Sequence, residues 1–519
     1  FRSGKSDLTH RDGMTQRNPN DPVETAAQDS YGGTVLRGSF YTALSQGVTV
    51  ACQIGSVIIL SRLLTANDFG LIAMIGPVIV FLSMFKEMGL LQAVIQKKTL
   101  TYGQLNALFW INMGVSLSLT LLLIWMAPLI ARFYSAPELT ALIRVMAVSM
   151  FISALGAQHF ALLNRQMVFG RIAINASIVA VVTLSVSIIW ALISPTPWAL
   201  VAGTIAGMSV GTLLVWIWVP WTPSRPAMAP GTGELIGFGA GVTSFKLANF
   251  FSPNLANILI GRVWGSTALG LYDRAYKLLL FPLSRVAQPL SQVMIPVLSR
   301  MQDEPARYAH AFFRVFGLMQ LAILPGVAAL TALADTAVPF LLGAHWADSA
   351  PIFAALGIAG LAQPLANPTG WLFISQGRTT EMAWWGLFSA AVSCAAFVWG
   401  VQYGVVTLAL AYASTSIAKL VPLWLLICRK GPIRNDSLRT RILPLFCSGL
   451  ATYTLILLVR DSLPEPAILK LLSGAGLCYL TFAVALSLTP YGRQTLGELR
   501  GLLLKVIRRL QAHAKTGAI

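Results

Sequence analysis

Apolar runs of membrane-spanning length, each closed by a short polar or Gly/Pro-rich break, recur along nearly the whole chain. A helix of about twenty residues crosses about 30 Å of hydrocarbon, so the pattern predicts about fourteen spans. They lie near 38–60, 71–96, 105–131, 139–162, 171–193, 198–221, 235–260, 270–298, 312–333, 350–374, 383–402, 406–428, 442–460 and 467–489. The fold class is an all-α polytopic membrane protein. Residues 1–34 are polar and carry no apolar signal core. They are expected to be a disordered cytoplasmic segment, with Met14 a plausible start within it. The Pro/Gly-rich stretch TPSRPAMAPGTG at 222–233 divides the first twelve spans into two six-helix lobes, 35–221 and 234–430. Spans thirteen and fourteen occupy 431–489. In the tail, 490–519, Leu496, Leu499, Leu503, Ile507 and Leu510 gather on one side with basic residues elsewhere, a helix suited to an anionic membrane surface.

The two lobes echo one another. ILSRLLTANDFGLI at 59–72 corresponds to LIGRVWGSTALGLY at 259–272, with Arg62, Gly70 and Leu71 matching Arg262, Gly270 and Leu271. Six spans per lobe make the repeats parallel, related by an axis along the membrane normal, as in transporters whose halves rock about a central cavity. Each copy is expected between the first two spans of its lobe. Gly203, Gly207 and Gly211 recur every four residues on the sixth span and predict a close helix–helix contact. Trp216, Trp218, Trp221, Trp346, Trp384 and Trp385 suit interface belts.

Composition agrees: 56% of residues are hydrophobic and only 11% charged, against about 25% charged in soluble proteins. The net charge of +18 could suggest a nucleic-acid partner, but its distribution assigns it to topology. With the N-terminus in the cytoplasm, about 25 Lys and Arg fall on that side and about four, Arg62, Arg132, Arg262 and Arg460, on the other. Both termini are therefore expected inside, in a bacterial inner membrane. The five cysteines lie scattered through apolar segments and predict neither a disulfide framework nor a metal site.

The chemistry concentrates in the eighth span, GLYDRAYKLLLFPLSRVAQPLSQVMIPVLSR at 270–300. Arg274, Lys277 and Arg285 share one broad stripe of this helix, about 16 Å long, beside Asp273. A cation at the bilayer centre costs at least about 2.5–3.5 kcal/mol, so three on one face predict a wet, anion-seeking cavity. The plainer reading, that Arg274 and Lys277 anchor the headgroup region, leaves Arg285 unexplained. Pro282, Pro289 and Pro296 recur every seven residues and are expected to bend this helix. Lys86 and Glu87 on the second span and Lys246 on the seventh are further intramembrane charges with the same expected orientation. A structural ion pair of Glu87 with a basic residue of the other lobe is the alternative.

Sequence motifs for catalysis fail. GMSVG at 207–211 matches GxSxG but sits inside an apolar span, without the strand–turn–helix that a nucleophile needs. GAGVTSFK at 239–246 lacks the Gly-Lys pair of a P-loop. With no cofactor and no nucleotide site expected, transport would be downhill, coupled to H+ or Na+, or drawn by consumption on the far side.

The ordered motifs RLLTANDFGLIAM at 62–74, FYSAPELTALIRVMAVS at 133–149, the run at 270–304, LGAHWADSAPIFAALGIAGL at 342–361 and NPTGWLFISQGRT at 367–379 resemble the Wzx-type polysaccharide flippases. The likeness covers about residues 35–430 and is greatest to the colanic-acid and xanthan exporter branch of the MOP superfamily. It implies a non-enzymatic carrier that moves undecaprenyl-pyrophosphate-linked repeat units to the periplasmic leaflet by alternating access around a cationic cavity. It also implies the lipid bilayer and a periplasmic polymerase and co-polymerase as partners. Arg274, Lys277, Arg285, Lys246, Lys86, Glu87 and Asp273 would then be the substrate-binding set. A multidrug-type antiporter and a lipid II flippase of the same superfamily are the alternatives. The first calls for acidic lumen residues, and bases outnumber acids here.

Overall fold

The computed structural model describes residues 31–87, 94, 100–230, 232–233, 250–434 and 436–516, and among them the secondary structure is helical. Among the described residues, twelve helices are long and apolar enough to cross a membrane. They match twelve of the fourteen predicted spans. The seventh, 235–260, falls mostly outside the described residues, as does the segment 1–30. The eighth lies within a single helix, Phe251–Ser299.

The chain forms two compact units, Phe1–Gly270 and Leu271–Ile519. The first contains α1 (Tyr31–Gly55, continued by a π-helical turn at Ser56–Leu60), α2 (Ala66–Glu87), α3 (Tyr102–Tyr134), α4 (Leu139–Arg165), α5 (Phe169–Ile193) and α6 (Trp198–Trp218). α5 packs against α6 and α1, while α4 packs between α3 and α6. The predicted glycine face of α6 meets α5: a Cβ on Gly203 or Gly207 would collide with Ser187 or Thr183, and one on Gly211 with Val179 at 2.6 Å. With no hydrophobic force between helices in lipid, such close approach is what holds them. Gly207→Leu is therefore expected to cost about 1–3 kcal/mol of overpacking and to lower the melting midpoint of the detergent-purified protein.

The stretch 222–230 is strapped to α3 by side chains. Gln104 Nε2 donates to Pro230 O at 2.8 Å, Asn106 Nδ2 to Arg225 O at 2.9 Å, and Trp110 Nε1 to Ser224 O at 2.8 Å. The end of α6 is tied in the same way, by Arg171 Nη1 on Trp218 O at 2.9 Å and by the His159 ring on Trp221 O at 3.0 Å. Trp221 is only 4% exposed and Trp346 is fully enclosed. Neither belongs to an interface belt, because each indole is packed into its unit's core; Trp384 is 67% exposed.

In the first copy the helix of the first span runs on through Ser61–Leu63 and α2 starts at Ala66, so the break between the two spans is short, with Thr65 as the cap of α2. The Thr65 N–H and hydroxyl donate to Asp68 Oδ2 at 2.8 and 2.7 Å, closing the first turn reciprocally. In the second copy the chain is helical on both sides of a single break at Gly265, with φ 80° and ψ −175°, inside α7 (Phe251–Ser299). Glycine alone enters that region without strain, so one residue replaces the predicted loop. The helix also continues through all three prolines, and Gly265 is its one residue with non-helical φ/ψ.

Within the first unit the two copies touch each other. A Cβ on Gly70 would fall on the Ser266 carbonyl, and one on Gly270 on the Ala66 carbonyl. The contact is reciprocal, pairing positions 66 and 70 with their own equivalents 200 residues on. Ser266 Oγ donates to Asn67 Oδ1 beside it.

The second unit contains most of α7, α8 (Pro305–Ala332), α9 (Ala334–Leu342), α10 (Ala350–Ala366), α11 (Thr369–Ser375), α12 (Thr379–Gly400), α13 (Val405–Ala418), α14 (Leu420–Arg429), α15 (Leu443–Val459), α16 (Ala467–Ser487) and α17 (Pro490–Thr516). α8 and the segment Ala344–Ser375 are its centre: 72% of each apolar window is buried, against 17–33% for the later spans. The amphipathic tail forms as α17, but its first turns dock on α8. Tyr491 OH donates to Phe313 O at 2.7 Å and Glu498 faces Arg314 at 3.5 Å. Burial pushes the Tyr491 phenol well above its ordinary value, so it remains a neutral donor.

Candidate substrate site

The charged turns of α7 are placed by neighbours in the second unit. Ser349 Oγ donates to Leu271 O at 2.7 Å, fixing the start. Tyr272 lies parallel to Tyr276 with ring centroids 6.0 Å apart. Tyr276 hydrogen-bonds Tyr412 of α13, which receives Gln363 Nε2 of α10 at 3.2 Å. Phenols and an amide thus border the ionic cluster, polar groups that a membrane helix does not carry toward lipid without a partner.

Asp273 and Lys277 are one turn apart, and their Oδ2 and Nζ approach to 2.8 Å; Arg274 Nε lies 4.0 Å from the same oxygen. The carboxylate and the guanidinium are enclosed, with 7% and 9% of their side chains exposed, while Lys277 is 55% exposed. One acid between two bases leaves one positive charge in excess. Lys277 makes the close contact with Asp273, while Arg274 lies farther from the same carboxylate and is the more enclosed of the two bases.

Asp273, Arg274 and Lys277 therefore come together. The side chains of Arg285 and Glu87, and all of Lys246, lie outside the described residues. Lys86, in the first unit, donates to Ser153 Oγ of α4 at 2.7 Å, the partner from another helix that its position demanded. Sequence reasoning overlooked Lys419, between α13 and α14. Its Nζ donates to Ser393 Oγ at 2.7 Å, Ser389 Oγ at 3.0 Å and Ser389 O at 3.3 Å. A solitary lysine in YASTSIAKLVPLW was the available signal. It also overlooked Arg378, whose guanidinium reaches Glu381 at 2.6 Å and the carbonyls of Leu426, Ile427 and Lys430 at 2.9, 3.2 and 2.7 Å. That residue closes the open end of α14. Buried amides at Asn112, Gln158 and Asn175 were passed over as well.

The first unit also has an apolar cleft of about 640 Å³ lined by Pro77, Phe81, Leu129, Phe133 and Phe250, with Arg132 on its wall. Its chemistry suits a hydrocarbon chain.

Twelve apolar helices that keep charge and hydrogen-bonded polar groups within them define a multi-pass membrane protein, and its fold is that of known carriers. The structure is similar to an inward closed conformation of the lipid II flippase MurJ, with a TM-score of 0.65 at 14% identity, covering 87% of this chain and 98% of that one. It is also similar to an inward-facing multidrug resistance MATE family transporter of the MOP superfamily, with a TM-score of 0.59 at 14% identity over 73% of this chain and 95% of that one. The chain belongs to the polysaccharide biosynthesis protein family, whose model matches residues 59–351. It is 28% identical to the teichuronic acid biosynthesis protein TuaB of Bacillus subtilis (strain 168), over 76% of this chain and 82% of TuaB. Identity to the lipopolysaccharide biosynthesis protein WzxC of Escherichia coli (strain K12) is 21%, over 79% and 84% of the two chains. The succinoglycan biosynthesis transport protein ExoT of Rhizobium meliloti (strain 1021) is 25% identical over 71% and 74%.

Proposed function

We propose that this protein is a flippase that carries undecaprenyl-pyrophosphate-linked oligosaccharide repeat units from the cytoplasmic to the periplasmic leaflet, for exopolysaccharide or lipopolysaccharide assembly. The observation that carries the reading is the Asp273–Arg274–Lys277 cluster, a net positive group kept in a membrane helix of a polysaccharide biosynthesis protein. A pyrophosphate needs paired donors in a low-dielectric passage, and Arg274 with Lys277 supplies them. Arg285, Lys246, Lys86 and Glu87 complete the cationic lining in this reading. The glycan crosses with the headgroup while the isoprenoid stays in lipid, and the lobes alternate their access. Relatives whose names place them in teichuronic acid, lipopolysaccharide and succinoglycan biosynthesis support this class of cargo.

The concentration of Lys and Arg on one side of the spans places both termini in the cytoplasm in this reading. On the far side a polymerase and its co-polymerase would consume the cargo. No catalytic step is assigned. Proteoliposomes holding a fluorescent lipid-linked oligosaccharide test the proposal. Wild-type protein is expected to move the label out of reach of an external quencher, faster than protein-free vesicles do. Equal rates would refute it. Repeating the assay with a proton or a sodium gradient decides the coupling.

A further inference from the structure

The apolar cleft of the first unit ends in positive charge. Its mouth forms where the last turn of α3 meets α7. Arg132 and Phe133 line it, and the Arg262 guanidinium lies over the Phe133 ring, 5.7 Å from the centroid. Arg132, Phe133 and Arg262 are exposed, and Leu129 one turn below is 58% exposed, so the cleft is open to its surroundings. Among the described residues neither guanidinium has an ion-pair partner.

The cleft then runs inward between α2, α3 and the first part of α7. Ser266 beside Asn67, and Arg262 over Phe133, place the start of α2, the end of α3 and the Gly265 break at one end of the unit. From there Pro77 and Phe81 lie eleven and fifteen residues beyond Ala66, the first residue of α2, hence about 16 and 22 Å deep. Phe81 forms the floor, with the rings of Phe250 and Phe85 edge-on to it at 5.3 and 5.2 Å. The back is sealed where Gly261 lets α7 close on α3 and α2. A Cβ there would meet Tyr134 at 2.9 Å and Met74 at 3.2 Å.

Size and charge narrow the occupant. A single extended hydrocarbon chain, about 5 Å across and about 22 Å long, takes up roughly 400 Å³, against about 640 Å³ in the cleft. A partner protein's helix, about 10 Å across, would need roughly 1,700 Å³ over the same length. An acyl chain reaches about 15 Å into the bilayer core, which brings its end to Pro77 and Phe81 when its headgroup is level with Arg132. The undecaprenyl tail of the proposed cargo is far too long to be contained. A zwitterionic headgroup brings its own ammonium toward the two guanidiniums, whereas an anionic one brings only phosphate oxygens, which accept from both. Anchoring at the membrane surface explains one exposed arginine at a helix end, but not the chain-sized void beneath a pair of them.

We propose that this cleft binds an anionic phospholipid, with one acyl chain between α2, α3 and α7 and the phosphate held by Arg132 and Arg262. The site lies within the first unit and does not depend on the flippase reading. The full-length protein in phosphatidylcholine nanodiscs is given a trace of phosphatidylglycerol carrying a diazirine on one acyl chain, and the photolabelled residues are mapped by mass spectrometry. Label is expected on 77–81, 129–133 and Ile258. Unlabelled phosphatidylglycerol should displace it about tenfold or more effectively than phosphatidylcholine with the same chains. The double variant Arg132→Gln, Arg262→Gln should lose that preference. Leu129→Trp, at an exposed position on the cleft wall, should lose the label on 77–81 by filling the space. Equal displacement by the two lipids would reject the site, as would a preference that survives in the double variant. Unchanged labelling of 77–81 in Leu129→Trp would show that the chain lies elsewhere. Displacement by glycerol 3-phosphate alone would reduce the site to one for free phosphate, and stronger displacement by undecaprenyl phosphate than by phosphatidylglycerol would give the cleft to the cargo lipid; either overturns the proposal.

Discussion

Gly70→Ala and Gly270→Ala are each expected to reduce polymer export by at least about tenfold while the protein still reaches the membrane. At both positions the added methyl would fall on a backbone carbonyl, Ser266 O for Gly70 and Ala66 O for Gly270. A flexible side chain could yield by rotating, but a helical carbonyl can move only with its helix. Overpacking of this kind costs about 1–3 kcal/mol, applied to one contact and not spread over the core. Because the contact is reciprocal, the two substitutions should give similar losses, and the double variant should lose little more. Gly76→Ala is the control, on the same helix as Gly70 with nothing within 4 Å of the new Cβ. Export of all four variants at matched membrane levels decides the matter: Gly70→Ala performing like Gly76→Ala would show that the contact has no part in transport.

Arg274→Ala is expected to lower export by about a hundredfold or more, with normal protein levels. Asp273 keeps Lys277 at 2.8 Å, so removing the guanidinium leaves no buried carboxylate alone. It does remove the one enclosed cation of the cluster. Asp273→Ala differs in kind. It takes away the acid 4.0 Å from a guanidinium that is 9% exposed, and breaking such a buried pair costs about 3–5 kcal/mol. That variant should lose protein as well as export. Lys277→Ala falls between them, because an ammonium that is 55% exposed is partly screened by its surroundings. Export normalised to membrane protein separates these cases, and full export by Arg274→Ala would sever the ion cluster from cargo binding.

The span pattern was legible because it depends on composition within single segments. Twelve windows of sustained hydropathy became twelve helices, and the four-residue glycine period of α6 became a helix contact. Reading failed where meaning depended on what lay opposite. Trp221 and Trp346 carry the same side chain as Trp384, yet two are core and one is exposed. Thr65 and Asp68 showed a capping pattern that the loop assignment hid. Gly265 allowed one residue to turn the chain where a loop of nine had been expected. In the candidate site, the Asp273–Lys277 pair followed from i,i+4 spacing alone. The grouping of the buried amides Asn112, Gln158 and Asn175 in the first unit did not, because they come from three helices and each alone is only an amide in an apolar run.

The one-dimensional chain determined the class of the molecule: multi-pass, helical, internally repeated, with charge placed where lipid penalises it. These are costs of transfer, paid residue by residue against the bilayer and therefore visible before folding. Tertiary structure alone decided that the repeated stretches would clasp through bare glycine backbones and that Arg274 would be enclosed beside the Asp273–Lys277 pair. Those outcomes depend on distances between segments far apart in sequence, which packing sets and composition does not encode.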